Sequence, residues 1–357
     1  MKSSLIQNAT RELKIEMILG SGYGCFCAWL IIVFQAAGRP SVFASGFDHY
    51  IFLYAAFFLT LVSSFFFSKQ FLLVLERHST PYVIVVVMAL SSSSLLVASS
   101  EGMAVTAFIV RGCAAISGIC GALFLQVWAI AFSKLPSKQI TASNLFSYFF
   151  NSLLVLIMFS LGLFSPAAIM MVSPCFSLLM LEIGKKQRFS QFANQQLKID
   201  TQGERAGHAL QLHRDYRFMA FLVGSFLIFA STELVRYVYS TEIVMPDWIL
   251  GYGSNGVAFF AAALLMIATL VLKARFSIRI EYLYRLSYVA LVLSTLLMPF
   301  MGLSPASSTL LICYSLSLVA YQCFNILNFA TTIIAGRKRR NIVRITGLAQ
   351  ATWCAGC

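Results

Sequence analysis

The stretch KKQRFSQFANQQLKIDTQGERAGHALQLHRDYR, residues 185–217, is the longest polar interruption in an otherwise apolar chain. Apolar residues make up 59% of the 357 residues and charged residues only 11%, whereas soluble domains carry roughly a quarter charged residues. The interruption separates six apolar segments from four. It therefore predicts two halves of one membrane protein rather than two soluble domains.

Ten apolar segments are long enough to cross the hydrocarbon core of a bilayer, which takes about 20 helical residues. We predict them at residues 16–37, 50–67, 82–98, 103–132, 145–164, 166–183, 218–239, 248–272, 282–302 and 307–334. The predicted fold class is an all-α integral membrane protein with ten complete transmembrane helices. The predicted units are a six-helix half at residues 1–184, a cytoplasmic linker at 185–217 and an incomplete second half at 218–357.

The basic residues lie on one side of these predicted helices. If the N-terminus is cytoplasmic, 23 of the 26 Lys and Arg residues fall in inner segments and only Arg39 falls in an outer loop. Basic residues concentrate in the cytoplasmic loops of membrane proteins. The net charge of +13 therefore indicates topology. We expect the lipid bilayer as the partner of this chain, and no direct contact with nucleic acid.

The sequence closes with a basic cluster at residues 337–340 and a short apolar stretch at 345–357. About 13 helical residues rise on the order of 20 Å, against a hydrocarbon core of about 30 Å. We expect this stretch to begin a partial eleventh helix. It either lies at the membrane interface or reflects a truncated coding sequence.

Three charged side chains stand out inside predicted helices, where a charge costs at least about 2.5 kcal/mol and normally faces the protein interior. Arg111 is either a ligand for an anion or a proton-coupling group, or a structural residue that caps carbonyls of a neighbouring helix. Glu233 and Arg236 are three residues apart on one helical face. They form either a structural ion pair or part of a substrate site, and Glu233 could instead pair with Arg111 across the two halves.

The tenth predicted helix carries a polar stripe. Tyr314, Tyr321, Asn325 and Asn328 follow one another at steps of seven, four and three residues, which places them on one helical face. Such a stripe either lines a cavity or joins helices through hydrogen bonds. Together with the three charged residues it predicts a small-molecule site between the halves, formed by Arg111, Glu233, Arg236, Tyr314, Tyr321, Gln322, Asn325 and Asn328.

No catalytic or metal-binding motif stands out. The sequence contains neither H-E-x-x-H nor G-x-S-x-G, and its four histidines fall in predicted loops. Cys354 and Cys357 form a single C-x-x-C without a second pair. We therefore expect no enzymatic activity, no cofactor and no metal.

The plan of six helices, a cytoplasmic linker and a second half resembles the major facilitator superfamily, whose halves are pseudo-repeats with a ligand site near the membrane midplane. The four spans after the linker repeat the loop pattern of the first four. The loop SKQFLLVLERHSTP at residues 68–81 departs from the family, because it lacks the usual Gly–Asp–Arg motif.

Several stretches resemble the membrane region of multi-pass LuxR-type transcriptional regulators of anaerobic actinobacteria. They are GYGCFCAWLIIVF at residues 22–34, YRLSYVALVLSTLLMPFMG at 284–302, AYQCFNILNFATT at 320–332 and VRITGLAQATW at 343–353. The resemblance implies a major-facilitator-like bundle in the bacterial cytoplasmic membrane, followed by a cytoplasmic helix-turn-helix.

The resemblance predicts that this chain is the ligand-sensing membrane region of such a regulator, truncated before the DNA-binding domain. No DNA-contacting residue falls within the chain. Two alternatives stay open: a major-facilitator-type secondary transporter of a small solute, and a non-functional remnant. The sequence predicts neither the ligand nor the oligomeric state.

Overall fold

All regular elements of the described chain are α-helices. The computed structural model describes residues 2–37, 46–100, 104–161, 166–192, 216–241, 307–338 and 341–356, together with Val289, Val292, Leu293 and Leu296. The helices are α1 (Lys2–Ala37), α2 (Gly46–Phe66), α3 (Ser68–Leu75), α4 (Thr80–Ser100), α5 (Ala104–Ser133), α6 (Ser137–Leu161), α7 (Pro166–Phe192), α8 (Tyr216–Thr241), α9 (Ser307–Lys338) and α10 (Ile342–Gly356). The predicted all-α fold class is confirmed.

Eight long helices lie over eight of the ten predicted spans. The other two spans, 248–272 and 282–302, lie outside the described residues apart from the four single positions in the second. Within the described ranges, Leu13–Phe34 and Phe108–Ser133 are long and apolar enough to cross a membrane, and the bent pair Ile51–Phe66 with Ser68–Leu75 adds a third. The number of ten complete transmembrane helices stays a prediction.

Two connections differ from the sequence prediction. The loop expected after the second span contains α3, which is turned by 105° from α2. The polar linker begins as helix, because α7 continues to Phe192. A turn of this size carries α3 across the end of α2 instead of extending it.

The helices α1–α7, which we call the first half, pack closely through small residues. The helix α1 packs against α6 and α7, and α5 packs against α2 and α4. A Cβ on Gly20 would lie 2.6 Å from the Cβ of Phe146, and one on Gly24 would lie 2.5 Å from the carbonyl oxygen of Ser147. Only glycine permits this approach of α1 to α6, as in small-residue contacts between membrane helices.

Buried side chains of the first half are hydrogen-bonded across helices. Trp29 Nε1 on α1 donates to Ser92 Oγ on α4 over 3.2 Å. Trp128 Nε1 on α5 donates to Ser177 Oγ on α7 over 3.1 Å. These bonds satisfy indole donors that would otherwise be buried without a partner.

The outside of the bundle is apolar. Phe108 on α5 is 84% exposed, and Leu59 on α2 and Val172 on α7 are both more than half exposed. Inside, serine, asparagine and glutamine side chains are fully buried. An exposed apolar surface of this extent is unusual for a soluble monomer and fits a bundle that faces lipid.

The helices α8, α9 and α10, which we call the second-half helices, pack on one another and on the first half. The helix α10 packs against α2, α8 and α9, while α9 also packs against α6. The helix predicted after the basic cluster is therefore present, and it lies within the bundle rather than apart from it. Its placement between α2 and α8 makes it part of the contact between the two halves.

Candidate functional site

Three aromatic rings join the halves. Tyr23 on α1 stacks on Phe329 on α9, with ring centroids 4.7 Å apart and planes 12° apart. Phe132 on α5 meets Tyr23 edge-on at 5.3 Å and Phe329 at 6.0 Å. Because Phe132 lies in the last turn of α5, these rings sit toward the end of the bundle that is predicted to be cytoplasmic.

Two hydrogen bonds reinforce this contact. Asn144 Nδ2 on α6 donates to the carbonyl oxygen of Ile326 on α9 over 2.8 Å. Arg337 Nη1, near the end of α9, donates to the carbonyl oxygen of Leu135 over 2.5 Å. Leu135 lies in the turn between α5 and α6, so the basic end of α9 is fixed to the first half.

The helices α10 and α2 touch through Gly347. A Cβ at this position would collide with Ser64 Oγ and would lie 2.9 Å from the carbonyl oxygen of Leu61. Ser64 Oγ also accepts a hydrogen bond from Gln126 Nε2 over 3.1 Å. The guanidinium of Arg344 lies 4.7 Å from the ring centroid of Phe65, a cation–π distance.

Buried polar atoms on the helices that form this contact make no hydrogen bond. We call them the unpartnered polar set: Gln126 Oε1, Asn144 Oδ1, both amide atoms of Asn151 and of Asn328, Thr332 Oγ1, Thr346 Oγ1 and Trp353 Nε1. Buried polar groups in proteins are nearly always hydrogen-bonded, so each such atom needs an explanation. All members of the set are amides, hydroxyls or an indole N–H. Ser143 Oγ and Arg344 Nε, on the same helices, are also buried without a hydrogen bond, and so is Nε of Arg111, whose guanidinium contacts Phe52.

An aromatic cluster lies beside this set. Phe229 on α8 contacts Tyr321 and Phe324 on α9, at centroid distances of 5.6 and 5.2 Å. Trp353 on α10 contacts Phe229 at 6.1 Å and Phe57 on α2 at 6.4 Å. The indole of Trp353 therefore bridges the second-half helices and the first half.

Arg111 is the predicted charged residue whose side chain the structure describes. It is half-buried on α5, with its guanidinium carbon 5.8 Å from the ring centroid of Phe52 on α2. Phe52 lies five residues before Phe57 on α2, so Arg111 is toward the predicted outer end of the bundle. The side chains of Glu233 and Arg236 lie outside the described residues, and their pairing stays a prediction.

The predicted polar stripe on α9 is described in part. Asn328 is 1% exposed, and Tyr321 and Asn325 are half-buried. Tyr321 faces Phe229 on α8. The side chains of Tyr314 and Gln322 lie outside the described residues, although both positions belong to α9.

Sequence reasoning missed the amides of the first half. Asn144 and Asn151 are seven residues apart on α6, which places them on the same helical face. Asn144 reaches α9 from that face. A pair of lone amides at this spacing in an apolar helix is the signal that could have found them. No group of three or more His, Cys, Asp or Glu side chains in the described ranges could hold a metal ion.

Solved structures share this arrangement of helices. A mutant of the nucleoside transporter NupG matches with a TM-score of 0.56 and 13% sequence identity, over 97% of this chain and 89% of that chain. The xylose transporter XylE from E. coli, in a partially occluded inward open conformation, matches with a TM-score of 0.59 and 11% identity over the same shares. No protein-family model and no curated protein matches the sequence. The two structural matches show that the chain has a major-facilitator-like helical membrane fold.

Proposed function

We propose that the chain is a secondary transporter of a small solute. The observation that supports it is the unpartnered polar set, which lies on helices of both halves that pack against each other. Transporters of this fold bind their solute between the halves and rock one half against the other. The structurally similar proteins are a nucleoside and a xylose transporter, which supports a small solute and a non-enzymatic role.

The unpartnered polar set favours a contact that can separate. A buried polar atom without a hydrogen bond costs about 1–3 kcal/mol of desolvation free energy. Movement of the halves would expose such atoms to water or solute and restore their hydrogen bonds. The arrangement in which the halves are packed together is therefore less stable than it would be with all its polar atoms hydrogen-bonded. A solute that binds one arrangement more tightly shifts the equilibrium toward that arrangement.

The proposed site includes the residues predicted from the sequence. Asn328, Tyr321 and Asn325 would contribute polar groups to the site from α9. Arg111 would lie at the outer end of the site. Glu233, Arg236, Tyr314 and Gln322 are proposed members of the same site, because their positions lie on α8 and α9.

Solute counterflow into proteoliposomes tests the proposal. We expect the full chain to exchange radiolabelled solute at a rate above that of protein-free vesicles. Uridine and xylose are the first probes, followed by hexoses, amino acids and organic acids. Failure of the correctly inserted protein to exchange any of these solutes would contradict a transport function.

A second candidate is the ligand-sensing membrane region of a LuxR-type regulator in the bacterial cytoplasmic membrane. The four stretches that resemble those regulators favour it, and three of them include described residues of α1, α9 and α10. A sensor binds its ligand without moving it across the membrane. Saturable binding in micelles, combined with the absence of counterflow for the same ligand, would favour the sensor.

A further inference from the structure

We propose that the ligand is an uncharged, ring-containing solute, and that the amide of Asn328 and the indole N–H of Trp353 bind its hydroxyl or amide groups. This inference rests on the solute-binding role proposed above and adds the chemical class of the ligand. Three observations support it. The fully buried polar side chains are uncharged, several of their polar atoms make no hydrogen bond, and an aromatic cluster lies beside them.

The buried polar groups suit a neutral ligand. In the described part of the chain, the fully buried polar side chains are serine, threonine, asparagine and glutamine. The Nε atom of Arg344 is also buried, but its guanidinium lies against Phe65, near the predicted inner end of α2. An ion that leaves water needs an opposite charge or a metal, whereas amides and hydroxyls pair with neutral donors and acceptors. The guanidinium of Arg111 lies against Phe52, five residues further out along α2 than the ring that Trp353 contacts.

Asn328 offers a donor and an acceptor in a buried place. Its side chain is 1% exposed, and neither amide atom makes a hydrogen bond. Tyr321, Phe324 and Asn328 follow steps of three and four residues, so they share a face of α9. The first two contact Phe229, which places Asn328 one helical turn from the aromatic cluster.

Trp353 supplies a second unpartnered donor beside the same aromatic cluster. The helices α9 and α10 pack against each other, and Phe324 and Trp353 both contact Phe229. Trp353 Nε1 is buried without a hydrogen bond. Aromatic walls with a few polar groups are the usual composition of small-molecule sites, and aromatic faces stack on the flat faces of ring compounds.

The effects of Asn328→Leu on the melting temperature and on ligand affinity distinguish ligand binding from a purely structural role. Asn328→Leu removes two polar atoms that have no partner in the folded protein, so the melting temperature is expected to stay the same or rise. If these atoms bind the ligand, the same change weakens ligand binding. A structural hydrogen-bonding role predicts the opposite, namely a lower melting temperature and unchanged binding.

The test is equilibrium binding of tritiated probes to the full chain in micelles, with pairs that differ in charge. The pairs are uridine with uridine 5′-monophosphate, and glucose with glucosamine. We expect at least one neutral member to bind saturably, and its charged counterpart to bind about tenfold more weakly or worse. Asn328→Leu is expected to weaken the neutral member by about tenfold.

Control variants keep this test decisive. Gln70→Leu removes an exposed amide on α3 and is expected to change neither binding nor the melting temperature. If Asn328→Leu does not fold, Asn328→Ser and Trp353→Phe replace it. Trp353→Phe keeps an aromatic ring and removes only the indole donor, so binding is still expected to weaken.

Three results would overturn the inference: equal or tighter binding of the charged members, unchanged affinity in the folded Asn328 and Trp353 variants, or no saturable binding of any neutral probe. Counterflow of the same probes separates this inference from the proposed function. Binding of a neutral probe without counterflow supports the inference and contradicts transport. Counterflow of only charged solutes supports transport and contradicts the inference.

Discussion

Packing inside the first half differs from packing between the halves. Within the first half, Trp29 and Trp128 donate to serine hydroxyls on neighbouring helices. Between the halves, the indole of Trp353 and the amide of Asn328 are buried without partners. Because both regions are apolar and closely packed, polarity alone does not distinguish them. If the contact with α8–α10 changes during transport, as proposed above, this difference is the expected one, because the indole donors inside the first half are paired and the one at the contact is not.

The largest expected effect concerns close packing within the first half. A Cβ on Gly118 of α5 would collide with the carbonyl oxygen of Leu53 on α2, whereas a Cβ on Gly112 of the same helix would meet nothing within 4 Å. We expect Gly118→Ala to lower the free energy of unfolding by about 3 kcal/mol, because a backbone carbonyl cannot move aside. Denaturant titration in micelles measures the loss.

Gly112→Ala is the matched control on α5. It is expected to be neutral or to stabilise the protein by up to about 1 kcal/mol, because alanine is the better helix former. Equal losses for the two variants would show that the packing of α5 on α2 does not require glycine at position 118.

The next largest effect on stability comes from comparing a buried polar group that has a hydrogen-bond partner with one that has none. Ser177→Ala would leave Trp128 Nε1 buried without an acceptor, so we expect the free energy of unfolding to fall by about 2 kcal/mol. Thr332→Val removes a buried hydroxyl that has no partner and keeps the side-chain shape. It is expected to be neutral or stabilising in the same titration, and a loss equal to that of Ser177→Ala would remove the distinction between the two regions.

A smaller effect concerns the basic end of α9. Arg337→Leu removes the hydrogen bond to Leu135, and Arg337 is exposed, so we expect the closed contact to weaken by about 1 kcal/mol. The expected result is a roughly fivefold higher rate of thiol labelling at a cysteine introduced at position 135. Arg77→Leu, at an exposed position after α3, serves as the control, and an unchanged labelling rate in Arg337→Leu would contradict the role of this bond.

The smallest expected change in stability concerns Gly347→Ala. A Cβ here collides with Ser64, just as one on Gly118 collides with α2, but the collision lies between the halves. If the halves can separate, the strain is relieved by movement, so the free energy of unfolding falls by less than about 1 kcal/mol while labelling at position 135 increases. A loss as large as that of Gly118→Ala would indicate one rigid body instead.

Much of the fold could be predicted because hydrophobicity and charge act locally. Runs of apolar residues predicted the positions of α1, α2 and α4–α9 within a few residues of their observed bounds, apart from the longer polar ends of α1, α6 and α7. The turn into α3 could not be predicted, since it depends on how Phe71 and Leu72 pack against the core and not on any breaker residue in the sequence.

The candidate site could be predicted only in part. Asn328 was found because a polar residue in an apolar helix is unusual, and Arg111 was found for the same reason. The contacts of Asn144 and Trp353 could not be found in this way. Each depends on a neighbour that is distant along the chain: Ile326 for Asn144, and Phe57 and Phe229 for Trp353.

The sequence by itself determined that this is a helical membrane protein with a polar linker between two groups of helices, because transfer of apolar segments into lipid depends on composition within each segment. The tertiary structure alone decided which buried polar atoms have partners. A hydrogen bond between helices depends on distances of about 3 Å between groups far apart in the chain. No local pattern specifies those distances, and they separate the paired indoles of Trp29 and Trp128 from the unpartnered indole of Trp353.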